Sequence, residues 1–480
     1  MRKKWVNRIK GSSLVQASSY FIFKISAYLI SIISIPILTK KFSVVEYGTL
    51  SLIESSIALI SSFCLLGLPQ AYIRYYEVEK KVNTIKSYDV TTFALISAIA
   101  VTTFVISCIF FKKTYGMVLA VIVALVTVVT VSFQQLIAFF RARGLLYLHS
   151  AVLGFNEIAM FLLPLVGVIW WQANIETYFI CKLIIGVIFL GMVLYKIKPQ
   201  IHKREIDINI CKKLLLYGCP LLLLGVGSTI FSNGDRVIID ILYGKELVAY
   251  YTIPSKLSHA LQQILIYPIS MVIFPQYVKI WENYGETQTK QYLSKGLHLY
   301  LFIIAPIIMG SIIIREDLIL VLSDERYLQA DYLIPILVAS LLIYGMYYFI
   351  AAGYFLGNKT LLLGIVMSIS AVLNIILNVL LGTIWGLKGI GIATGVAYLF
   401  FLGVSGYISN KTIALSFPFK NASFFIMRAI IMYIILQIIQ IQTGNAMLNV
   451  VLNIVIGGSI YILLNARYIW RILNRGTNVK

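Results

Sequence analysis

The feature that most constrains this chain is the regular recurrence of apolar runs about twenty residues long, separated by short clusters of charge. A helical run of that length matches the hydrocarbon core of a bilayer, which is about 30 Å thick. Of the 480 residues, 60% are hydrophobic and only 12% are charged, too few charges to cover a water-facing surface. The sequence therefore predicts an all-α integral membrane protein.

Hydropathy predicts about 14 membrane-spanning helices. The predicted spans lie near 16–39, 48–69, 90–111, 115–138, 147–170, 174–195, 213–233, 248–274, 296–314, 331–352, 360–382, 386–408, 424–442 and 445–466. The basic start, 1–10, precedes the first span without a small-residue cleavage site, so we expect an uncleaved first helix rather than a signal peptide.

The net charge of +21 would suggest nucleic-acid binding in a soluble chain, but here the Lys and Arg residues lie mainly beside the predicted spans. They concentrate in alternate connections, which predicts that these connections lie on the cytoplasmic side and contact anionic lipids. Both termini are then cytoplasmic as well. The five cysteines and four histidines have no metal-binding spacing, so no metal site or disulfide framework is expected.

The longest connection between spans, 196–212, is basic and lies near the middle of the chain. We interpret it as a cytoplasmic linker between two six-helix lobes, 1–195 and 213–408, followed by two additional helices and a basic tail in 409–480. Short similar segments after the first and seventh spans, beginning at Val45 and Val248, support a parallel repeat of the kind found in transporters.

Four ordered motifs resemble those of the polysaccharide flippases in the multidrug/oligosaccharidyl-lipid/polysaccharide exporter superfamily. These motifs run from Pro36 to Glu46-Tyr47-Gly48, from Leu66-Gly67 to Arg74-Tyr75-Tyr76, from Tyr217-Gly218-Cys219-Pro220 through Asp235-Arg236 to Tyr251, and from Leu373-Asn374 through Asn378 to Thr394. The resemblance covers nearly the whole chain. Ala249 departs from the pattern, because the family often has glycine at that position.

The resemblance implies a MATE-like fold, with the two lobes framing a central cationic cavity that works by alternating access. It further implies transport of an undecaprenyl-diphosphate-linked oligosaccharide across a bacterial cytoplasmic membrane, for O-antigen, capsule or exopolysaccharide synthesis. No cofactor and no nucleic acid are expected. A polysaccharide polymerase and a chain-length regulator are candidate partners beside the lipid-linked oligosaccharide and anionic lipids.

Ionisable residues inside spans are functional candidates, because a charge exposed to lipid costs several kcal/mol. These residues are Lys24, Glu54, Glu157, Lys182, Asp235, Arg236, Asp240, Lys256 and Arg428. As substrate-binding cations we single out Lys24, Arg74, Arg236 and Lys256. Interfacial anchoring is the ordinary alternative for Arg74 and Arg236, and pairing or snorkelling is the alternative for Lys24.

Two acidic residues, Glu54 and Asp235, are candidates for coupling to a proton or sodium gradient, against the alternative of hydrogen bonding between helices. Asn374 and Asn378 share one helix face and could bind sugar, although helix packing is the favoured interpretation. A hinge in the seventh span is predicted at three further positions, Pro220, Gly225 and Gly227.

Other functions remain open at this stage. A flippase for the peptidoglycan lipid precursor would share the fold and chemistry. A multidrug exporter of the same superfamily should prefer acidic residues and apolar surfaces for cationic substrates. A membrane polysaccharide polymerase or transferase would be expected to have a large external loop, and the sequence has no connection of that size between its apolar runs.

Overall fold

The computed structural model describes residues 23, 26–82, 84–171, 173–198, 206–415 and 417–470, and within them the ordered elements are all helical. The helices are α1 (26–41), α2 (Val44–Cys64), α3 (Leu68–Lys81), α4 (Ile85–Tyr115), α5 (Met117–Ala142), α6 (Leu146–Trp170), α7 (Ile175–Ile197), α8 (Ile208–Tyr243), α9 (Lys245–Ile313), α10 (Arg315–Leu322), a 3₁₀ turn (Glu325–Ala330), α11 (Leu333–Tyr344), α12 (Tyr347–Ile350), α13 (Ala352–Leu356), α14 (Thr360–Ser409), α15 (Phe419–Ile439) and α16 (Ala446–Leu464).

Within the described ranges, 11 helical segments are long and apolar enough to cross a membrane. Two of them, in α9 and α14, contain one residue with non-helical dihedral angles, Gly285 (φ 74°) and Gly386 (φ 61°). Dividing α9 and α14 at these glycines raises the number of segments by two, and α1 is a further helix. The predicted all-α membrane fold is confirmed, with a helix count close to the fourteen expected.

Several helices extend beyond the predicted spans. The predicted span 213–233 lies inside α8, which runs from Ile208 to Tyr243. The expected connection 275–295 is helical apart from Gly285. The predicted span 48–69 ends earlier, because α2 stops at Cys64 and α3 begins at Leu68. Hydropathy detects only the part of a helix that lies in hydrocarbon, so polar helical extensions escape it.

The chain divides into two compact units. The first unit contains the described residues of Met1–Ala249 together with Met367–Ile375. The second contains the described residues of Tyr250–Val366 and Ile376–Lys480. The predicted boundaries of the lobes and of the linker stay predictions, and part of that linker, 199–205, lies outside the described residues.

In the first unit, an aromatic and charged cluster joins α3, α4 and α5. The Tyr72 ring stacks on Phe139, with ring centroids 3.9 Å apart, and its hydroxyl donates a 2.6 Å hydrogen bond to Asp89. Arg143, just after α5, donates a 2.8 Å hydrogen bond to the other oxygen of Asp89. Burial opposes the charge of Arg143, but the charges of Asp89 and Tyr72 and the Asp89 hydrogen bond raise its pKa above the usual value.

The family-like glycines mark close backbone contacts inside this unit. A Cβ added at Gly218 would lie 2.3 Å from the carbonyl oxygen of Leu66, and one at Gly67 would lie 2.1 Å from that of Gly218. Gly67 also has φ 65°, a left-handed conformation that suits glycine. A Cβ at Gly48 would lie 1.9 Å from the carbonyl oxygen of Lys245. The close approach of the turn between α2 and α3 to α8, and of α2 to the start of α9, therefore requires these glycines.

In the second unit, polar side chains connect the helix ends. Arg315 forms a 2.8 Å ion pair with Asp331. Asn449 donates a 3.1 Å hydrogen bond to Asp317, which joins α16 to α10. The intramembrane candidate Arg428 donates a 2.8 Å hydrogen bond to Asn465 just after α16. Arg428 therefore links α15 to the end of α16.

Candidate functional site

A polar cavity of about 510 Å³ lies within the first unit, among α2, α5, α6, α7 and α8. We call it the unit-one cavity. Its polar lining residues are Glu54, Ser61, Ser62, Thr130, Gln134, Asn156, Glu157, Lys182, Ser228, Thr229, Ser232 and Asn233. Polar groups in membrane-spanning helices usually face a bundle interior or a hydrated cavity. Because 12 of its 21 lining residues are polar or charged, the cavity offers hydrogen-bonding partners to a polar solute.

An ion pair stands in the wall of the unit-one cavity. The Lys182 ammonium on α7 lies 2.5 Å from a carboxylate oxygen of Glu54 on α2. The Tyr178 hydroxyl donates a 2.7 Å hydrogen bond to the same oxygen, and the Lys182 ammonium lies 4.9 Å from the Tyr178 ring centroid. Lys182 and Tyr178 are four residues apart on α7, so both reach Glu54 from one helix face.

A second cation lies directly behind the cavity wall. The Arg236 guanidinium on α8 donates hydrogen bonds to Ser55, at 3.0 Å, and to Asn233, at 3.2 Å. Ser55 follows Glu54 in α2, and Asn233 lines the cavity. Because Arg236 is only 7% exposed, its charge is held in a low-dielectric region close to the cavity.

One face of α6 forms another wall of the unit-one cavity. Leu153, Asn156, Glu157 and Met160 line it at the spacing of successive helical turns. The side-chain oxygen of Asn156 is buried and, within the described residues, has no hydrogen-bond partner; the same holds for the hydroxyl of Ser61. Buried polar atoms normally have partners, so both atoms are suited to bind water or a polar ligand.

The structure brings only some of the predicted site residues to this cavity. Glu54 lines it, and Arg236 lies behind its wall. Asp235, 4% exposed, is buried on α8, whereas Arg74 is exposed on α3 and is absent from the cavity lining. Lys256 is half-buried on α9 in the second unit. The predicted cation Lys24 lies outside the described residues.

The remaining predicted positions are buried or lie within continuous helix. Asn374 and Asn378 are fully buried in α14. The helix α8 runs through Pro220 without a break, and a Cβ at Gly225 would meet nothing within 4 Å. One at Gly227 would lie 3.2 Å from the Met367 side chain. Binding by the asparagines and a hinge at Pro220 and the two glycines stay predictions.

Sequence reasoning did not single out Tyr178, Asn156 or Asn233. Lys182 was only one of several intramembrane charges, without an assigned partner. The available signal was weak: Tyr178 and Lys182 share a helix face, but their partner Glu54 is 128 residues from Lys182 in the sequence. In the part of the chain that the structure describes, no cluster of three His, Cys, Asp or Glu side chains could hold a metal ion.

Comparison with known proteins connects this arrangement to a family. Residues 13–281 match the family described as polysaccharide biosynthesis protein. Agl15 of Haloferax volcanii, described as a probable low-salt glycan biosynthesis flippase, is 21% identical over 284 residues, and the match spans 59% of each chain. An uncharacterized membrane protein of Methanocaldococcus jannaschii is 22% identical over 476 residues, covering 93% of this chain and 92% of its own.

Two kinds of solved structure share the fold. The lipid II flippase MurJ, in an inward closed conformation, aligns with TM-score 0.74 and 18% identity over 96% of this chain and all of its own. An outward-facing MATE multidrug resistance transporter of the MOP superfamily aligns with TM-score 0.56 and 14% identity over 83% of this chain and 94% of its own. The MATE-like fold expected from the sequence is confirmed, and the chain belongs to the polysaccharide biosynthesis protein family.

Proposed function

We propose that the protein is a flippase that moves an undecaprenyl-diphosphate-linked oligosaccharide repeat unit from the cytoplasmic to the outer leaflet. The observation that carries the proposal is the polar unit-one cavity inside a membrane-spanning unit of a polysaccharide biosynthesis family member. Two relatives give further support: Agl15, described as a probable low-salt glycan biosynthesis flippase, and the lipid II flippase MurJ. The transported unit would serve O-antigen, capsule or exopolysaccharide synthesis in a bacterial cytoplasmic membrane.

Such a substrate sets a defined physical problem. Its sugars and diphosphate must cross about 30 Å of hydrocarbon, whereas its lipid tail can remain there. Each polar group that loses water without a new partner costs several kcal/mol. The hydroxyl and amide groups of Ser61, Gln134, Asn156, Ser232 and Asn233 provide replacement partners on the cavity wall. Alternating access would then expose this wall to one leaflet at a time.

Positive charge for the diphosphate would come from two places. Lys182 already lies in the cavity wall, and Arg236 lies one contact behind it. Lys24, Arg74 and Lys256 are the further cations that we propose for other stages of transport. Because Lys182 pairs with Glu54, the diphosphate must compete with that carboxylate.

The same pair offers a route to energy coupling. A proton on Glu54 would remove its negative charge and free Lys182 for the diphosphate. Asp235, buried on α8, is the second acidic candidate for coupling to a proton or sodium gradient. We further propose that both termini are cytoplasmic and that a polysaccharide polymerase and a chain-length regulator act on the delivered units.

The test is deletion of the gene in its own host, with lipid-linked oligosaccharide measured on the inner leaflet and surface polysaccharide measured in the same cells. We expect complete single units to accumulate inside and surface polymer to disappear, both reversed by the intact chain. Single units that reach the outer leaflet unpolymerised would support a polymerase instead. Accumulation of the peptidoglycan lipid precursor alone would show that this precursor, and not an oligosaccharide repeat unit, is the substrate.

A further inference from the structure

Two adjoining cavities lie on the first half of α8, apart from the unit-one cavity. One, of about 370 Å³, is lined by Tyr75, Asn209, Lys212, Lys213, Leu216 and Tyr217, and we call it the headgroup pocket. The other, of about 600 Å³, runs from Ile208 to Pro220, and we call it the apolar groove. Lys212 and Leu216, one helical turn apart, line both.

The headgroup pocket combines fixed and uncompensated positive charge. The Lys213 ammonium forms a 2.6 Å ion pair with Glu79 on α3 and lies 4.5 Å from the ring centroid of Tyr75. The Tyr75 ring packs edge-on against Tyr217 at 5.4 Å, which completes one side of the pocket. Lys212 is exposed and forms no ion pair with another described residue. Among the described residues that line the pocket, Lys212 therefore contributes the one uncompensated positive charge, because Glu79 compensates Lys213.

The apolar groove begins where the headgroup pocket ends. Its lining is apolar apart from Lys212, and Ile208 and Leu216 are 75% and 67% exposed. Pro220 has no amide hydrogen, so the Leu216 carbonyl at the junction lacks its usual helical partner. A molecule with a polar end and a hydrocarbon chain matches this sequence of surfaces along α8.

We propose that the headgroup pocket and the apolar groove together bind one anionic phospholipid. The phosphate lies between Lys212 and Lys213, and one acyl chain lies along the groove towards Pro220. Basic pockets between membrane helices commonly bind anionic headgroups. A single uncompensated positive charge complements a headgroup of charge −1, whereas a zwitterionic headgroup brings its own cation and a lipid diphosphate brings two negative charges.

The site is tested with the full chain reconstituted in phosphatidylcholine bilayers. A trace of photoactivatable phosphatidylglycerol, or of phosphatidylcholine with the same reactive acyl chain, is cross-linked and the labelled peptides are identified by mass spectrometry. We expect phosphatidylglycerol to label 208–220 about fivefold more than phosphatidylcholine, the advantage given by one lysine near an anionic headgroup. The lipid site does not depend on transport, so this experiment tests it separately from the proposed function.

Three variants locate the effect. Lys212→Gln should lower phosphatidylglycerol labelling to the phosphatidylcholine level, and Lys212→Arg should retain it. Lys80→Gln is the matched control, because Lys80 is exposed on neighbouring α3 and is absent from the pocket lining. Lys212 is exposed, so its replacement should leave the thermal unfolding midpoint unchanged.

Three results would overturn the proposal. Equal labelling of 208–220 by both phospholipids would show ordinary contact of an apolar surface with bilayer lipid. An equal loss of labelling in Lys80→Gln and Lys212→Gln would show a diffuse surface charge instead of a site. Displacement of phosphatidylglycerol by an equimolar trace of undecaprenyl diphosphate would assign the site to the lipid diphosphate.

Discussion

Lys182 on α7 and Glu54 on α2 lie 2.5 Å apart in the wall of the unit-one cavity, although 128 residues separate them in the sequence. The two side chains are 16% and 21% exposed, so both charges are largely withdrawn from water. Withdrawn charges are tolerated when they are paired. The pair therefore holds two helices together and keeps a cation beside the cavity.

Glu54→Gln should destabilise the protein and impair transport. The Lys182 ammonium would lose its charged partner, and Tyr178 would lose a charged acceptor. We expect a loss of about 1–2 kcal/mol in unfolding free energy, below the value for a fully buried pair because both residues are partly exposed. Thermal unfolding of the purified protein measures it. Glu176→Gln is the control, because Glu176 is an exposed acid on α7, the helix that carries Tyr178 and Lys182.

A double-mutant cycle separates the pair from each single residue. Glu54→Gln combined with Lys182→Met should be more stable than the sum of the single changes predicts, by about 1 kcal/mol. Strict additivity of the two changes would show that the ion pair contributes nothing to stability.

Gly218→Ala should reduce the amount of folded protein severely. Its Cβ would lie 2.3 Å from the carbonyl oxygen of Leu66, which belongs to the backbone and cannot rotate away. Gly225→Ala, on the same helix, should be tolerated, because nothing lies within 4 Å of the added Cβ. Membrane abundance of the two variants measures the difference, and equal abundance would contradict the close packing of the turn between α2 and α3 against α8.

Tyr72→Phe should lower stability by about 1.5–3 kcal/mol, the range for a hydrogen bond to a charged group. The change removes the 2.6 Å bond to Asp89 and retains the ring that stacks on Phe139. Tyr147→Phe serves as the control, because Tyr147 is 68% exposed. An unchanged unfolding midpoint in Tyr72→Phe would show that Arg143 alone satisfies Asp89.

Much of the fold could be predicted from hydropathy, because each membrane crossing requires an apolar run. The break near 386 was predicted between two spans, and Gly386 lies there with φ 61°. The helical extension of α8 to Tyr243 could not be predicted in this way, because its last turns carry Asp235, Arg236 and Asp240. A polar helix and a polar loop look alike on a hydropathy scale.

The candidate site was less predictable. Glu54 could be recognised because a charge inside an apolar run is costly and needs a compensating environment, and Arg236 could be recognised as a cation near the end of such a run. Their partners could not be recognised from the sequence. Tertiary packing brings Lys182 to Glu54, and it brings Ser55 to Arg236, which also bonds to Asn233. Arg74 and Arg236 seemed equivalent as span-end cations, yet Arg74 is exposed and Arg236 is buried.

Replacement of Lys24 and Lys256 by glutamine together should reduce transport at normal protein abundance. Lys256 is half-buried in a membrane-spanning helix, and Lys24 belongs to the predicted first span. The physical reason is loss of positive charge for the diphosphate within hydrocarbon depth. Export of surface polysaccharide, normalised to membrane abundance, measures the effect. Unchanged export would remove both lysines from the proposed set of binding cations.

The most direct test of the flippase proposal is movement of a fluorescent undecaprenyl-diphosphate oligosaccharide in proteoliposomes, followed by its accessibility to an external quencher. We predict that the intact chain equilibrates the lipid between leaflets, that Glu54→Gln with Lys182→Met slows it at least about tenfold, and that Glu176→Gln matches the intact chain. Equilibration that is as fast with the double replacement as with the intact chain would contradict a role for the unit-one cavity. The assay is repeated with an imposed proton gradient and with an imposed sodium gradient, and failure of the intact chain to equilibrate the lipid under either would contradict the flippase proposal itself.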